Sequence, residues 1–129
     1  MTQELLLPGT SKAGTRFSVP AVREAIAYFG LVDPIEVKFS GGIHRRGCHR
    51  YAGKGQPHII TVSTYLSPEE AGRTLWHELT HAAQREYLGQ EEFTAQYRLE
   101  SATKGYRGNK FEVEAREHSD LNAEIPLAK

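Results

Sequence analysis

The chain has 129 residues, 39% of them hydrophobic, which is enough for one domain with a modest core and too short for two. Sixteen basic side chains balance sixteen acidic ones, so no global field points to nucleic acid or to an anionic membrane surface. The only cysteine, Cys48, excludes an intrachain disulfide and suits a reducing compartment. The opening MTQELLLPGT lacks a basic leader region and breaks its apolar run at Pro8, and no later run approaches membrane-spanning length. The expectation is a cytoplasmic protein without membrane contact. Its charge is unevenly spread. Lys38, Arg45, Arg46, Arg50 and Lys54 make the middle basic, whereas Glu91, Glu92, Glu100, Glu112, Glu114, Glu117, Asp120 and Glu124 dominate the last third.

Residues 1–16 carry turn formers without apolar period and read as a loose lead-in to one domain over 17–122, followed by a short tail, 123–129. From Ser18, the residues Val19, Val22, Ile26 and Phe29 recur at helical spacing, Pro20 is tolerated in a first turn, and Gly30 supplies a stop. Ile35, Val37 and Phe39 then alternate with Glu36, Lys38 and Ser40, the pattern of a half-buried strand. A hairpin follows, with arms near His44 to Tyr51 and His58 to Ser63 around a glycine-rich turn. Ser67-Pro68-Glu69-Glu70 forms a capping box for a helix running to Gly89. Ala71, Leu75, Trp76, Leu79, Ala82 and Ala83 share one face of that helix, and His77 and His81 project together from another. The stretch from Glu91 to Thr103, marked by Phe93, Tyr97 and Leu99, is predicted as a further helix, after which Gly105 and Gly108 bend the chain. Asn109 then caps a last helix containing Phe111, Ala115 and His118.

The chemistry is concentrated in LWHELTHAAQ, residues 75–84. Histidines four apart stand one turn above each other, so two neutral imidazoles can converge on one cation, and imidazole nitrogen is a preferred zinc donor. Glu78 points sideways from the pair, where it can serve a water at the cation as general base. His44, Cys48 and His49 do not have the spacing of a strong second metal motif, and Cys48 is expected to be neither ligand nor nucleophile. Arg45, Arg46, Arg50 and Lys54 could meet a phosphate backbone, but no aromatic interleaving or nucleic-acid motif accompanies them, so a solvated hairpin is the expected reading.

HExxH on a capped helix next to a hairpin resembles the zincin metallopeptidases. The metzincin branch is excluded, because Gln84 and Tyr87 stand where it has glycine and a third histidine. The gluzincin pattern, with a third ligand from a glutamate on a later helix, commonly followed by alanine, remains. Among the glutamates of the last helix, Glu114 precedes Ala115 and lies at the edge of the face set by Phe111, Ala115 and His118, whereas Glu112 and Glu117 point away. The order of elements is similar to the compact cores of SprT-like and ImmA/IrrE-type peptidases over roughly residues 43–120.

The resemblance implies an α+β zincin-like domain, a small antiparallel or mixed sheet packed on the HExxH helix. It also implies one Zn2+ per chain on His77, His81 and Glu114, with Glu78 as base and a protein or peptide as substrate. Tyr97, Tyr106, Arg107 and His118 are candidates to steady the oxyanion, with His118 first and also available to orient Glu114. In zincins a sheet edge beside the site pairs with extended substrate, and the arm from Ile59 to Ser63 is the candidate edge. Two other readings are a zincin fold kept for binding or regulation without turnover, and a DNA-associated SprT-like protease using its basic hairpin.

Overall fold

Local signals place most elements. Helix α1 (Val19–Phe29) starts where the Ser18 hydroxyl accepts from the Ala21 amide and ends at Gly30, whose φ of 70° closes the last turn in the left-handed region. Strand β2 (Ile35–Ser40) buries Ile35 and Val37 from its alternating face. The hairpin forms as β3 (Gly47–Tyr51) and β4 (His58–Ser63), antiparallel with His49 opposite Ile60. Helix α2 (Pro68–Leu88) carries the full capping box: the Ser67 hydroxyl accepts from the Glu70 amide at 3.2 Å and the Glu70 carboxylate reaches back to the Ser67 amide. Helix α3 (Gln90–Gly108) breaks at Gly105, and α4 (Lys110–Leu121) starts where the Asn109 side chain accepts from the Phe111 amide.

The structure, a computed structural model, describes residues 3–128. Its architecture is α+β, with a mixed sheet in the order β1-β2-β4-β3, where β1 is Leu5–Leu6. β2 runs parallel to both β1 and β4, and β3 alone is antiparallel to its neighbour. The chain therefore leaves β2, reaches the outer edge at β3 and turns back to insert β4 between them. β4 is consequently an interior strand, paired on both sides and buried at His58, Ile60, Thr61, Val62 and Ser63. The arm from Ile59 to Ser63 is thus not the free edge; β3 is.

The core joins Val22, Ala25 and Ile26 of α1, Ile35 and Val37 of β2, Ile60 and Val62 of β4, and Ala71, Leu75, Trp76, Leu79 and Ala82 of α2. The apolar face expected for α2 is the one that packs. The expected lead-in and tail are built into the domain: Leu5 and Leu6 pair with Ile35 and Glu36, the Ser18 amide donates to the Leu127 carbonyl at 2.7 Å, and Leu127 is fully buried. Neither segment has the periodicity that reveals a long element: the first pairs only Leu5 and Leu6 in the sheet and is otherwise tied down by single contacts such as buried Ser11 and Thr15.

α2 is buried on a second side by β3 and α4. The face of β3 that carries Gly47, His49 and Tyr51 looks onto this helix. Gly47 is required there by space: a Cβ would lie 2.6 Å from Thr74 Cγ2 and 3.1 Å from the Thr61 carbonyl.

Candidate metal centre

α2, α3, α4 and β3 enclose a cleft of about 790 Å3 whose wall includes His77, Glu78, His81, Tyr97, Tyr106 and Glu112. His77 and His81, one helical turn apart, bring their Nε2 atoms within 3.2 Å of each other. Glu112 Oε1 lies 3.1 Å from His77 Nε2 and 3.2 Å from His81 Nε2. The three atoms form a nearly equilateral triangle. Ligands held about 2.0–2.1 Å from a tetrahedral zinc are about 3.3 Å apart, so the triangle has the size of one face of a zinc coordination tetrahedron. Two imidazole nitrogens and a carboxylate are also the donor set zinc favours.

The third corner is Glu112, not Glu114. α4 buries Phe111, Glu112, Ala115 and Ser119, whereas Glu114 is exposed. The expected face, centred on Phe111, Ala115 and His118, is rotated from the observed one because α4 packs against the polar side of α2, so half of its buried stripe is polar. Glu114 still touches the site indirectly. Its carboxylate accepts from Gln84 Nε2 at 2.8 Å, and Gln84 Oε1 in turn accepts from His81 Nδ1 at 2.8 Å. A proton fixed on His81 Nδ1 leaves the Nε2 lone pair facing the triangle, the tautomer a ligand needs. Gln84 Nε2 also donates to the Phe111 carbonyl at 3.0 Å, which ties α2 to the start of α4.

Glu112 is held on its other oxygen by the Tyr97 hydroxyl at 2.5 Å. Burial alone would raise its pKa, yet hydrogen bonds from His77, His81 and Tyr97 hold it well below the carboxylate range, so it stays anionic. Tyr97 is correspondingly pushed up by burial and by Glu112, and its hydroxyl remains a donor. For His81, burial opposes protonation, but the Glu112 carboxylate outweighs it and raises the pKa.

Glu78 is buried on the cleft wall beside this triangle without sharing in it. Burial raises its pKa, partly offset by His81 and His77. His118, expected as the oxyanion donor, is elsewhere. Its ring meets Phe29 edge-on at 5.2 Å and Tyr28 at 5.9 Å, in the packing between α1 and α4, and it does not line the cleft. Tyr97 and Tyr106 do line it, while Arg107 serves through its carbonyl, which accepts from Arg116. Cys48 lies on the cleft wall but belongs to no group of converging ligand atoms among the described residues.

A second set of metal-competent residues, Asp33, His58 and Glu86, lies at the far end of α2. Sequence reasoning missed it because its members come from three separate elements. Here every inward-facing atom is matched. Arg85 Nη1 donates to His49 Nδ1 at 3.1 Å, His49 Nε2 to His58 Nδ1 at 2.8 Å, and His58 Nε2 to Glu86 Oε2 at 2.6 Å. Glu86 also accepts from the Val32 and Asp33 amides at 3.0 and 3.1 Å, and Asp33 Oδ2 accepts from the Tyr51 hydroxyl and the Gly55 amide. Burial, helped by Arg85 and His58, depresses His49 to about 2, so it is neutral, as the directional chain requires. The set closes on itself as a hydrogen-bonded clamp between α2, the hairpin and the loop before β2.

No protein-family model, curated protein or solved structure gives a significant match to the chain.

Proposed function

We propose that the chain is a zinc-dependent peptidase that hydrolyses peptide bonds in protein substrates. The observation that carries this reading is the triangle of His77 Nε2, His81 Nε2 and Glu112 Oε1, with Glu78 next to it on the wall of one cleft. A zinc ion held there supplies a Lewis acid that polarises a carbonyl and makes water more acidic. His77 and His81 provide neutral nitrogen donors, with Gln84 fixing the tautomer of His81. Tyr97 holds Glu112 in the one orientation that points Oε1 at both histidines. Glu78 takes a proton from the attacking water and returns it to the amine nitrogen as the peptide bond breaks. A carboxyl whose pKa is raised by burial holds a transferred proton more readily than an exposed one, which suits that exchange. Tyr106 lines the cleft opposite α2 and is assigned the hydroxyl donor for the oxyanion. β3, at the outer edge of the sheet with Gly47, Cys48 and His49 on the cleft wall, is the strand to which an extended substrate adds.

A binding protein without turnover would have no use for Glu78 buried beside the triangle, which favours catalysis over that reading. The test is zinc content and cleavage of denatured casein for the wild-type protein and for Glu78→Gln. One zinc per chain in both proteins, with cleavage lost by about 100-fold or more in the variant, is the expected result. Equal cleavage by the two would remove Glu78 from the mechanism, and substoichiometric zinc after reconstitution would remove the metal.

A further inference from the structure

Arg85 lies one turn beyond His81 on α2, so His77, His81 and Arg85 share a face of the helix, and Arg85 forms part of the cleft wall. Its guanidinium is fixed from two sides. Nη1 donates to both the carbonyl and Nδ1 of His49, each at 3.1 Å, and the group lies over the Phe93 ring, 4.9 Å from its centroid. His49 is itself locked by the chain through His58 to Glu86, so the orientation is set by buried side chains and not by solvent. Yet Arg85 forms no ion pair with any described carboxylate, its Nη2 has no described partner, and its Nε is buried without one. Glu78 and Glu112 act on it only from beyond ion-pair contact, and a partly desolvated cation held rigidly with no carboxylate touching it is a site prepared for an anion.

The rest of the cleft has the same sign. Arg45, Arg73 and Arg116 also line it, as does Arg46, which lies 3.8 Å from Glu70, against Glu78, Glu112 and Asp120 as the only carboxylates among the described lining residues. The first two of those are committed to the base and the metal, leaving Asp120 alone. We infer that Arg85 binds a carboxylate of the substrate, and that the preferred substrates are acidic peptide segments. This rests on the peptidase reading for its placement relative to the cleaved bond. Four residues along a helix advance about 6 Å, the span of roughly two residues of extended peptide, so the carboxylate belongs within a few residues of that bond. Arg85 stands inside the cleft beside the proposed peptide track, which favours a carboxylate on a single extended strand over the phosphates of a duplex.

Three fluorescein-labelled alanine-rich peptides test it by anisotropy titration on zinc-loaded Glu78→Gln protein. One is amidated with a central Glu, one is amidated with Gln in its place, and one has no acidic side chain but a free C-terminal carboxylate. The Glu peptide is expected to bind about tenfold more tightly than the Gln peptide, and Arg85→Gln in the same background should reduce that ratio to about two or less with zinc content kept. Preference for the free-acid peptide over both others, with the same dependence on Arg85, would identify the α-carboxylate as the group bound. Equal binding of all three peptides overturns the inference whether or not the Arg85 variant folds. So does a ratio unchanged in a folded Arg85→Gln protein, or an Arg85-dependent preference for a single-stranded oligothymidylate over every peptide. A wild-type protein that leaves casein intact while its Glu78→Gln form still discriminates Glu from Gln would sink the peptidase reading alone. Cleavage of casein without any such discrimination would sink this one alone.

Discussion

Two sets of histidine and carboxylate meet α2 on different sides, one at its middle and one near its C-terminal end, and by composition either could hold a metal. They differ in how their polar atoms are arranged. In His77, His81 and Glu112, three ligand-type atoms converge on one centre at 3.1–3.2 Å from each other, the spacing a single cation could bridge. In Asp33, His58 and Glu86, each acceptor faces a donor, and the histidines pass hydrogen bonds in one direction from Arg85 to Glu86. Proximity of ligand-type residues is therefore not enough to tell the two sets apart: in the first the atoms converge on one centre, in the second each faces its own partner.

The comparison breaks most sharply if the two glutamates are exchanged in role. Glu112→Ala is expected to weaken zinc binding by about 100-fold or more and to abolish cleavage in consequence, read by competition with a chromogenic chelator. Glu86→Ala should leave one zinc per chain but lower stability by about 2–4 kcal/mol, since it strands His58 and two backbone amides. Denaturant melts that spare Glu86→Ala, or a second zinc in the wild type that vanishes with it, would make the clamp a metal site after all.

Gln84→Ala sharpens the tautomer argument. It should reduce zinc affinity by about 10-fold or somewhat more while the fold persists, because His81 Nδ1 loses the acceptor that fixes it. Acid sensitivity probes the other set. His49 is neutral in the folded protein down to about 2, whereas in the unfolded chain it titrates near its usual value of about 6.5. Between those values the unfolded chain holds the extra proton, so stability falls as the pH drops below about 6.5, by up to about 1.4 kcal/mol per unit from this residue. Urea melts at pH 7, 6 and 5 should show a shallower slope for His49→Gln than for the wild type; matching slopes would place the acid sensitivity elsewhere. The smallest effect is expected from Glu114→Ala. It removes only the partner of Gln84, which keeps its bond to the Phe111 carbonyl, so zinc affinity should change by about threefold or less.

What could be read from the sequence followed local rules. α1, β2, the hairpin and α2 announced themselves through period, caps and turn residues, and HExxH set two of the three converging atoms by helix geometry alone. The third needed tertiary information. Glu112 faces inward because α4 packs on a polar side of α2, and a wheel drawn from Phe111, Ala115 and His118 cannot register a buried stripe made of Glu112 and Ser119. His118 failed for the complementary reason: its ring packs against Phe29 as an aromatic, and nothing in its spacing separates that from a catalytic role. The interior position of β4 had no clear signal, since His58, Thr61 and Ser63 are polar yet buried, and HIITVS is not the continuous apolar run of a strand covered on both faces. The chain Arg85-His49-His58-Glu86 had none, because its four members come from α2, β3 and β4, and only the pairing of those strands brings them into line.

The Ser18 amide bonded to the Leu127 carbonyl, with Leu127 sealed in the core, has a consequence for how the domain is made. A ribosome that has released residues only as far as 126 presents a helix α2 already able to form its capping box, but a core with a leucine-sized hole. Truncation at that point is comparable to a large-to-small core substitution, a loss of about 2–5 kcal/mol. Such a contact, more than 100 residues apart in sequence, also raises the loop-closure entropy to be overcome before the ends meet. The core is therefore complete only once Leu127 has been made, after every helix and strand of the domain.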